Sequence, residues 1–197
     1  MALNKTKQRG ILLFLLAIIA IVGGIGTAVY SISTWKNSSQ ENIGNWQTIG
    51  KDKDVNDDDL LSIAQIAVYA TYPLTKKEVI YLNTSTDSDG NPIDSKSDYV
   101  INGKKFDAGY WSITAYDQDG FLIKNPIEKY SYNFEDVKYE KDSTSYKINL
   151  SSTKKEENWL PISGTKKVSL VIRLYQPSEN LRNNLNVESL PLIKKVQ

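Results

Sequence analysis

The sequence predicts a mainly β protein, an antiparallel sandwich or barrel with one packed α-helix, preceded by a single N-terminal transmembrane helix. Three observations lead there. Residues Ile11 to Ile32 form an uncharged apolar run. One stretch of helical periodicity follows Asp57-Asp58-Asp59. Beyond Pro73 the chain breaks into short runs of β-branched and aromatic residues separated by glycine turns.

The apolar run reads ILLFLLAIIAIVGGIGTAVYSI, with Thr27, Tyr30 and Ser31 as its only polar interruptions besides glycine. About 20 residues at 1.5 Å rise cross a ~30 Å hydrocarbon core, so its length suits one crossing. Lys5, Lys7 and Arg9 precede it and no acidic residue does. By the positive-inside rule, residues 1–10 lie in the cytoplasm, 11–32 span the bilayer, and the remainder lies outside. Tyr30 and Trp35 fall where an aromatic interface belt is expected. A cleaved signal peptide shares this pattern, and Gly26-Thr27-Ala28 offers a small-x-small step, but signal cores run only about 7–15 residues. The uncleaved anchor fits the length better, and both readings place the domain on the same side. Gly23, Gly24 and Gly26 contain no G-x-x-x-G spacing and are read as tolerated membrane-helix glycines.

Residues 33–56 read as a polar linker whose later part touches the domain through Trp46, and residues 57–197 as the β domain. The Asp57–Asp59 triplet suits the positive end of a helix dipole, which favours capping over metal binding. Leu60, Leu61, Ile63, Ala64, Ile66, Ala67 and Val68 follow at helical spacing, predicting a helix over 58–71 closed by Pro73. Strands are predicted at Val79–Leu82, Tyr99–Ile101, Tyr110–Tyr116, Phe121–Ile123, Tyr146–Leu150 and Val168–Tyr175. Asp89-Gly90, Asn102-Gly103, Asp119-Gly120 and Ser163-Gly164 mark the turns between them. Residues 135–145 and 151–158 read as solvated loops, 180–186 as a helical turn, and no internal repeat is evident.

Composition removes several function classes. Charged residues make up 24% and hydrophobic residues 40%, which fits one folded domain with a short appendage. Setting aside the three N-terminal cations leaves 21 of the 24 basic residues against all 23 acidic ones, a balance of −2. A domain so balanced has no general attraction for phosphate backbones, and no nucleic-acid partner is expected. Cysteine and histidine are both absent. Disulfides, thiolate nucleophiles, Cys/His zinc sites and a Ser-His-Asp triad are thereby excluded, and neither a cofactor nor a metal is implied.

Several phrases follow one another in the order of a known family. They are Tyr110-Trp111-Ser112-Ile113-Thr114, then Tyr116-Asp117 through Asp119-Gly120-Phe121-Leu122, then Asn125-Pro126 and Tyr130-Ser131. Asn158-Trp159-Leu160-Pro161, Arg173-Leu174-Tyr175 with Pro177, and Pro191 with Lys194 continue the series. From about residue 46 onward the chain resembles the bacterial domain-of-unknown-function family numbered twelve-fourteen. That resemblance implies a jelly-roll-like β-sandwich and a short, membrane-anchored member without the companion domain often found beside it. It carries no activity to transfer.

Asp87-Ser88-Asp89-Gly90 and Asp117-Gln118-Asp119-Gly120 look like calcium-loop fragments, yet Pro92 and Phe121 occupy positions at which an EF-hand loop requires glycine and a ligand. They are read as turns. Two S-x-x-K strings, Ser151–Lys154 and Ser163–Lys166, lack the S-D-N and K-T-G companions of serine-lysine acyl enzymes. Glycoside hydrolysis needs only two carboxylates, and Asp117 with Asp119 is the best catalytic pair available. Trp111, Tyr130 and Trp159, together with Tyr116 and Tyr175, are candidates for a ligand-stacking platform, with core packing as the competing reading. Arg173 interrupts an apolar strand, so it either pairs with a carboxylate or binds an anion. Asn125 and Asn158 are expected to satisfy turn backbone.

These readings combine into an anchored, non-enzymatic envelope protein. It would sit in a bacterial inner membrane with a cytoplasmic N-terminus and a periplasmic domain. Its partners would be the bilayer and a polysaccharide or envelope protein. The alternative is a carbohydrate-active hydrolase built on Asp117 and Asp119.

Overall fold

With no charge between Arg9 and Lys36, nothing interrupts helix formation, and α1 runs from Lys5 to Ser38, beyond the predicted span at both ends. Its stretch Lys7–Ser31 is long and apolar enough to cross a membrane, and its side chains are not buried against protein. The Thr27 hydroxyl donates to the carbonyls of Gly23 (2.9 Å) and Gly24 (3.0 Å), so the run's polar interruption is satisfied inside the helix. The computed structural model describes residues 5–38, 41–48 and 74–196. The helix predicted over 58–71 and the end of the predicted linker, 49–56, lie outside the described residues.

Residues Met1–Ser39 and Gln40–Gln197 form two compact units. Among the described residues the second holds ten short strands in two sheets. Strands β1 (Asn42–Ile43), β2 (Trp46–Thr48), β3 (Val79–Thr84), β5 (Ala108–Tyr116), β6 (Ser131–Asn133) and β9 (Ser169–Pro177) form a six-stranded sheet in the order β1-β2-β3-β9-β5-β6. Strands β4 (Asp98–Lys104), β7 (Ser145–Ser151), β8 (Trp159–Pro161) and β10 (Leu192–Val196) form a four-stranded sheet in the order β10-β4-β7-β8. A short helix α2 (Glu179–Asn183) and one 3₁₀ turn (Val187–Ser189) link β9 to β10.

Alternation explains why these segments pair as they do. Leu170, Ile172 and Leu174 of β9, Trp111 and Ile113 of β5, and Ile80 and Leu82 of β3 point one way and join one core. Tyr99 and Ile101 of β4, Tyr146, Ile148 and Leu150 of β7, and Ile193 of β10 supply the other side. Trp111 stacks on Tyr146 across the core, with ring centroids 5.0 Å apart. Among the described residues the buried cluster lies within this unit, which therefore has a hydrophobic core of its own.

Four expectations need correction. Asn102-Gly103 is not a turn: both residues lie inside β4, paired with Lys147 and Tyr146 of β7, because Gly103 gives room for the Tyr146 ring. All pairs were expected to be antiparallel, but β7 and β8 run parallel, with Asn149 opposite Trp159. Asn158 makes this return workable: at φ +39° it turns the chain, and its side chain bonds the backbone of Lys138 and Lys147. The predicted strand Phe121–Ile123 reduces to a single bridge, Tyr116 to Leu122, because the Asp117 turn folds it straight back on the end of β5. Part of the stretch read as linker contributes β1 and β2, and Trp46 is buried there, its indole N–H donating to the Pro191 carbonyl at 3.1 Å.

Candidate functional site

Because β9 alternates, Val171, Arg173 and Tyr175 face away from the core on the outer side of the six-stranded sheet. Register places Arg173 between Tyr81 of β3 and Ser112 of β5. Its Nη1 donates to Thr114 Oγ1 at 3.1 Å and its Nη2 to the Tyr116 hydroxyl at 2.5 Å. The guanidinium also lies over the Tyr116 ring, 5.6 Å from the centroid. No carboxylate among the described residues pairs with it, and a guanidinium has five N–H donors. Arg173 is thus a half-buried cation held by neutral hydroxyls, with donors to spare.

Aromatic rings surround it. Tyr175 meets Tyr81 edge-on (centroids 6.5 Å apart) and Tyr110 (5.8 Å), and Tyr110 meets Phe134 (5.6 Å). Burial, reinforced by a hydrogen bond and charge from Tyr175 and opposed by Arg173, pushes the Tyr81 phenol up to about 12. At neutral pH that phenol is a hydroxyl, not a phenolate. A cation with unused donors among aromatic faces can hold an anionic group and stack flat ring surfaces beside it.

The other sequence candidates do not converge on this face. Trp111 is fully buried, between Tyr146 and Phe106, and faces the opposite side of β5. Trp159 lies on β8 of the other sheet, its indole N–H donating to the Ser151 carbonyl at 2.9 Å. Tyr130 precedes β6, where its carbonyl accepts from the Ala115 amide. Tyr116 and Tyr175 do share the face of Arg173. Among the positively charged flank of α1, Lys7 and Arg9 are exposed, and Lys5 begins the helix.

Asp117 and Asp119 occupy an exposed turn after β5. One Asp117 carboxylate oxygen accepts from the amides of Asp119 and Phe121, both at 2.9 Å, and Gly120 supplies the positive φ of +82°. Asp87 does the same for Asp89 (3.0 Å) and Asn91 (2.8 Å), with Gly90 at +87°. Each turn is flanked by a bridge, Thr86 to Pro92 or Tyr116 to Leu122, and followed by a buried isoleucine, Ile93 or Ile123. The two D-x-D-G strings are therefore one structural unit used twice. Among the described residues no cluster of three or more metal-ligating side chains occurs.

Asn125 and Asn158 satisfy turn backbone: Asn125 bonds the Ile123 and Lys129 carbonyls and the Lys129 amide. Ser151, first of one S-x-x-K string, is buried and donates to Asp98. Tyr81 and Tyr110 were not singled out from sequence. Their one signal is strand alternation, and only the β3–β9–β5 register places them beside Arg173.

A family model described as a protein of unknown function (DUF1214) matches residues 78–179, from the residue before β3 to the first residue of α2. The chain belongs to that family. Among solved structures, the DUF1214 chain is similar to the VPA0106 protein from Vibrio parahaemolyticus, at 23% identity and a TM-score of 0.61. The match covers 100% of this chain and 47% of that one, so the chain spans about half the length of this relative. The likeness is one of fold. A putative uncharacterized protein from Burkholderia cenocepacia aligns at 16% identity and a TM-score of 0.41, over 60% of this chain and 29% of that one. No curated protein matches the chain.

Proposed function

We propose that this DUF1214 protein is a membrane-tethered, non-enzymatic domain that binds an acidic polysaccharide on the outer face of its six-stranded sheet. On this reading α1 anchors it in a bacterial inner membrane, with Lys5, Lys7 and Arg9 on the cytoplasmic side and the domain in the periplasm. A jelly-roll-like sandwich belongs to the same reading, supported by the late strand β9 returning between the earlier strands β3 and β5.

The observation that carries the reading is Arg173: a half-buried guanidinium bonded only to neutral hydroxyls among the described residues, beside Tyr81, Tyr110, Tyr116 and Tyr175. A uronic-acid polymer supplies both complements, a carboxylate for the guanidinium and flat sugar faces for the rings. The hydrolase alternative asks Asp117 and Asp119 to flank a scissile bond, whereas Asp117 is engaged in holding its own turn.

Affinity electrophoresis of the full chain in gels containing polygalacturonate or a neutral glucan tests this. Polygalacturonate is expected to retard the chain, and the glucan to leave it unretarded. Arg173→Ala should weaken retention about tenfold or more, since charge-assisted hydrogen bonds contribute about 1.5–3 kcal/mol. Arg173→Lys should restore only part, because an ammonium lacks the guanidinium fork. Equal retardation by both gels, or unaltered retention of Arg173→Ala, contradicts the proposal.

A further inference from the structure

Among the described residues the six-stranded sheet ends at β1 and β6, and the four-stranded sheet at β8 and β10. An edge strand carries backbone N–H and C=O groups that can pair with another chain, and short length, proline or lysine blunts that hazard. Strands β1, β6 and β8 have two or three residues, and β8 ends in Pro161. β10 is the longest of the four, with five residues, and no described strand pairs with its far side.

Antiparallel pairing turns the backbone groups of alternate residues toward and away from the neighbouring strand. Ile193 shows which residues of β10 face away from β4. Its amide donates to Ser88 Oγ, and its carbonyl accepts from the Ser88 amide, each at 2.9 Å. Lys195, two residues on, therefore directs its own N–H and C=O to the same open side, where no described residue bonds them. Ser88 acts from a turn that is itself held in place. The buried Asp87 carboxylate accepts from the Asp89 and Asn91 amides, and the Asp87 carbonyl accepts from Gly90 at 3.1 Å. Gln118, at the same place in the Asp117 turn, makes no such bond to a strand among the described residues. Contact with β10 is thus not something the turn itself requires.

With Ser88 in place, a strand laid along β10 meets the free groups of Lys195 alone. Without it, that strand meets those of Ile193 as well, which is what self-pairing needs. Under a two-fold axis at Lys194, Ile193 of one copy lies opposite Lys195 of the other, and the two pairs exchange about four hydrogen bonds. The exposed Lys194 side chains then face each other, and like charges directly opposite resist the pairing. We infer that the Asp87–Gly90 turn is a strap that closes the β10 edge against strand addition by a second copy of this chain, with Lys194 as an electrostatic guard. The strap sits on the four-stranded sheet and is independent of the Arg173 reading, which concerns the other sheet.

Because the chain has no cysteine, Lys194→Cys supplies its only thiol and also removes the charge guard. In the two-fold pair the two Cα atoms at this position lie about 4.5 Å apart, within the about 4.4–6.8 Å that a disulfide spans. Ser88→Pro opens the strap and keeps the turn, since proline lacks both the amide hydrogen and the hydroxyl and is favoured at the second position of such turns. The test oxidises the full chain in detergent, sizes it on a non-reducing gel, and follows amide exchange on the reduced, dilute chain. Adding Ser88→Pro to Lys194→Cys should raise the cross-linked dimer at least about fivefold and speed exchange at the Ile193 amide about tenfold. Lys195→Pro as a third change removes the other outward N–H and should return cross-linking to the level of Lys194→Cys alone. Any association through α1 is common to all three chains and sets their baseline. Cross-linking unchanged by Ser88→Pro, cross-linking that survives Lys195→Pro, or an Ile193 amide that stays protected in Ser88→Pro overturns the inference.

Discussion

A β-carbon on Gly103 would lie 2.4 Å from the ring and hydroxyl of Tyr146, the residue paired with it across β4 and β7. This glycine is required by close approach, and its φ is not in the left-handed region. Gly103→Ala should destabilise the domain by about 1–3 kcal/mol, the range for overpacking a filled core, as measured by urea unfolding. A second residue-scale test concerns Asp98. Lys155 Nζ and Ser151 Oγ each donate to its carboxylate at 2.6 Å, lowering its pKa from 3.8 in that order of weight, while burial opposes weakly. A depressed carboxylate stabilises above its unfolded pKa and loses that contribution as pH falls through the folded value. The pair is about a third exposed, so solvent screening limits it to about 1 kcal/mol. Asp98→Asn should therefore unfold at lower urea than the parent at pH 6, and the gap should close below about pH 4. A gap that persists at pH 2.5 would show that the carboxylate's charge is not what Ser151 and Lys155 recognise.

Among the elements, the two D-x-D-G turns offer an internal control. Asp87 and Asp117 make the same bonds, but Asp87 is 1% exposed and Asp117 stands partly in water. Removing the acceptor strands two amides in each case, and stranding costs most where water cannot replace it, about 1–3 kcal/mol. Asp87→Ala should consequently lower the denaturation midpoint clearly more than Asp117→Ala. Equal losses would mean that the turns are held by their bridges and not by their carboxylates. The same pair shows how far the sequence could be read. Each string was legible as a turn because Asp and Gly have local conformational roles. Their equivalence was not, since beyond the two Asp, the Gly and the closing isoleucine the strings differ, at Ser88 and Gln118, Asn91 and Phe121, and Pro92 and Leu122. The longer strands were legible from alternation, as in Trp111, Ile113 and Ala115. Strands β1, β2, β6 and β8 have three residues or fewer, too short for any period to register. The parallel β7–β8 pair depends on the Asn158 anchor, whose contacts with Lys138 and Lys147 are made by folding. Arg173 stood out as a cation within an apolar strand, but its ring of tyrosines comes from β3 and β5, whose pairing with β9 no local pattern specifies.

For the whole molecule, two compact units set the problem: an apolar helix whose described side chains are not buried, and a sandwich with a hydrophobic core of its own. On the proposed reading the bilayer is the solvent that satisfies the first, because its backbone is bonded internally and its side chains are apolar, and the positive charges at its start would give the anchor its direction. The binding role proposed for the sandwich at Arg173 depends on which compartment the domain meets. The most direct test fuses a compartment-dependent reporter pair, alkaline phosphatase or a cytoplasm-active fluorescent protein, after residue 197 and sizes the product. The account predicts phosphatase activity, no fluorescence, and a membrane-bound fusion of uncleaved length. Fluorescence without phosphatase activity, or a soluble uncleaved product, would contradict it.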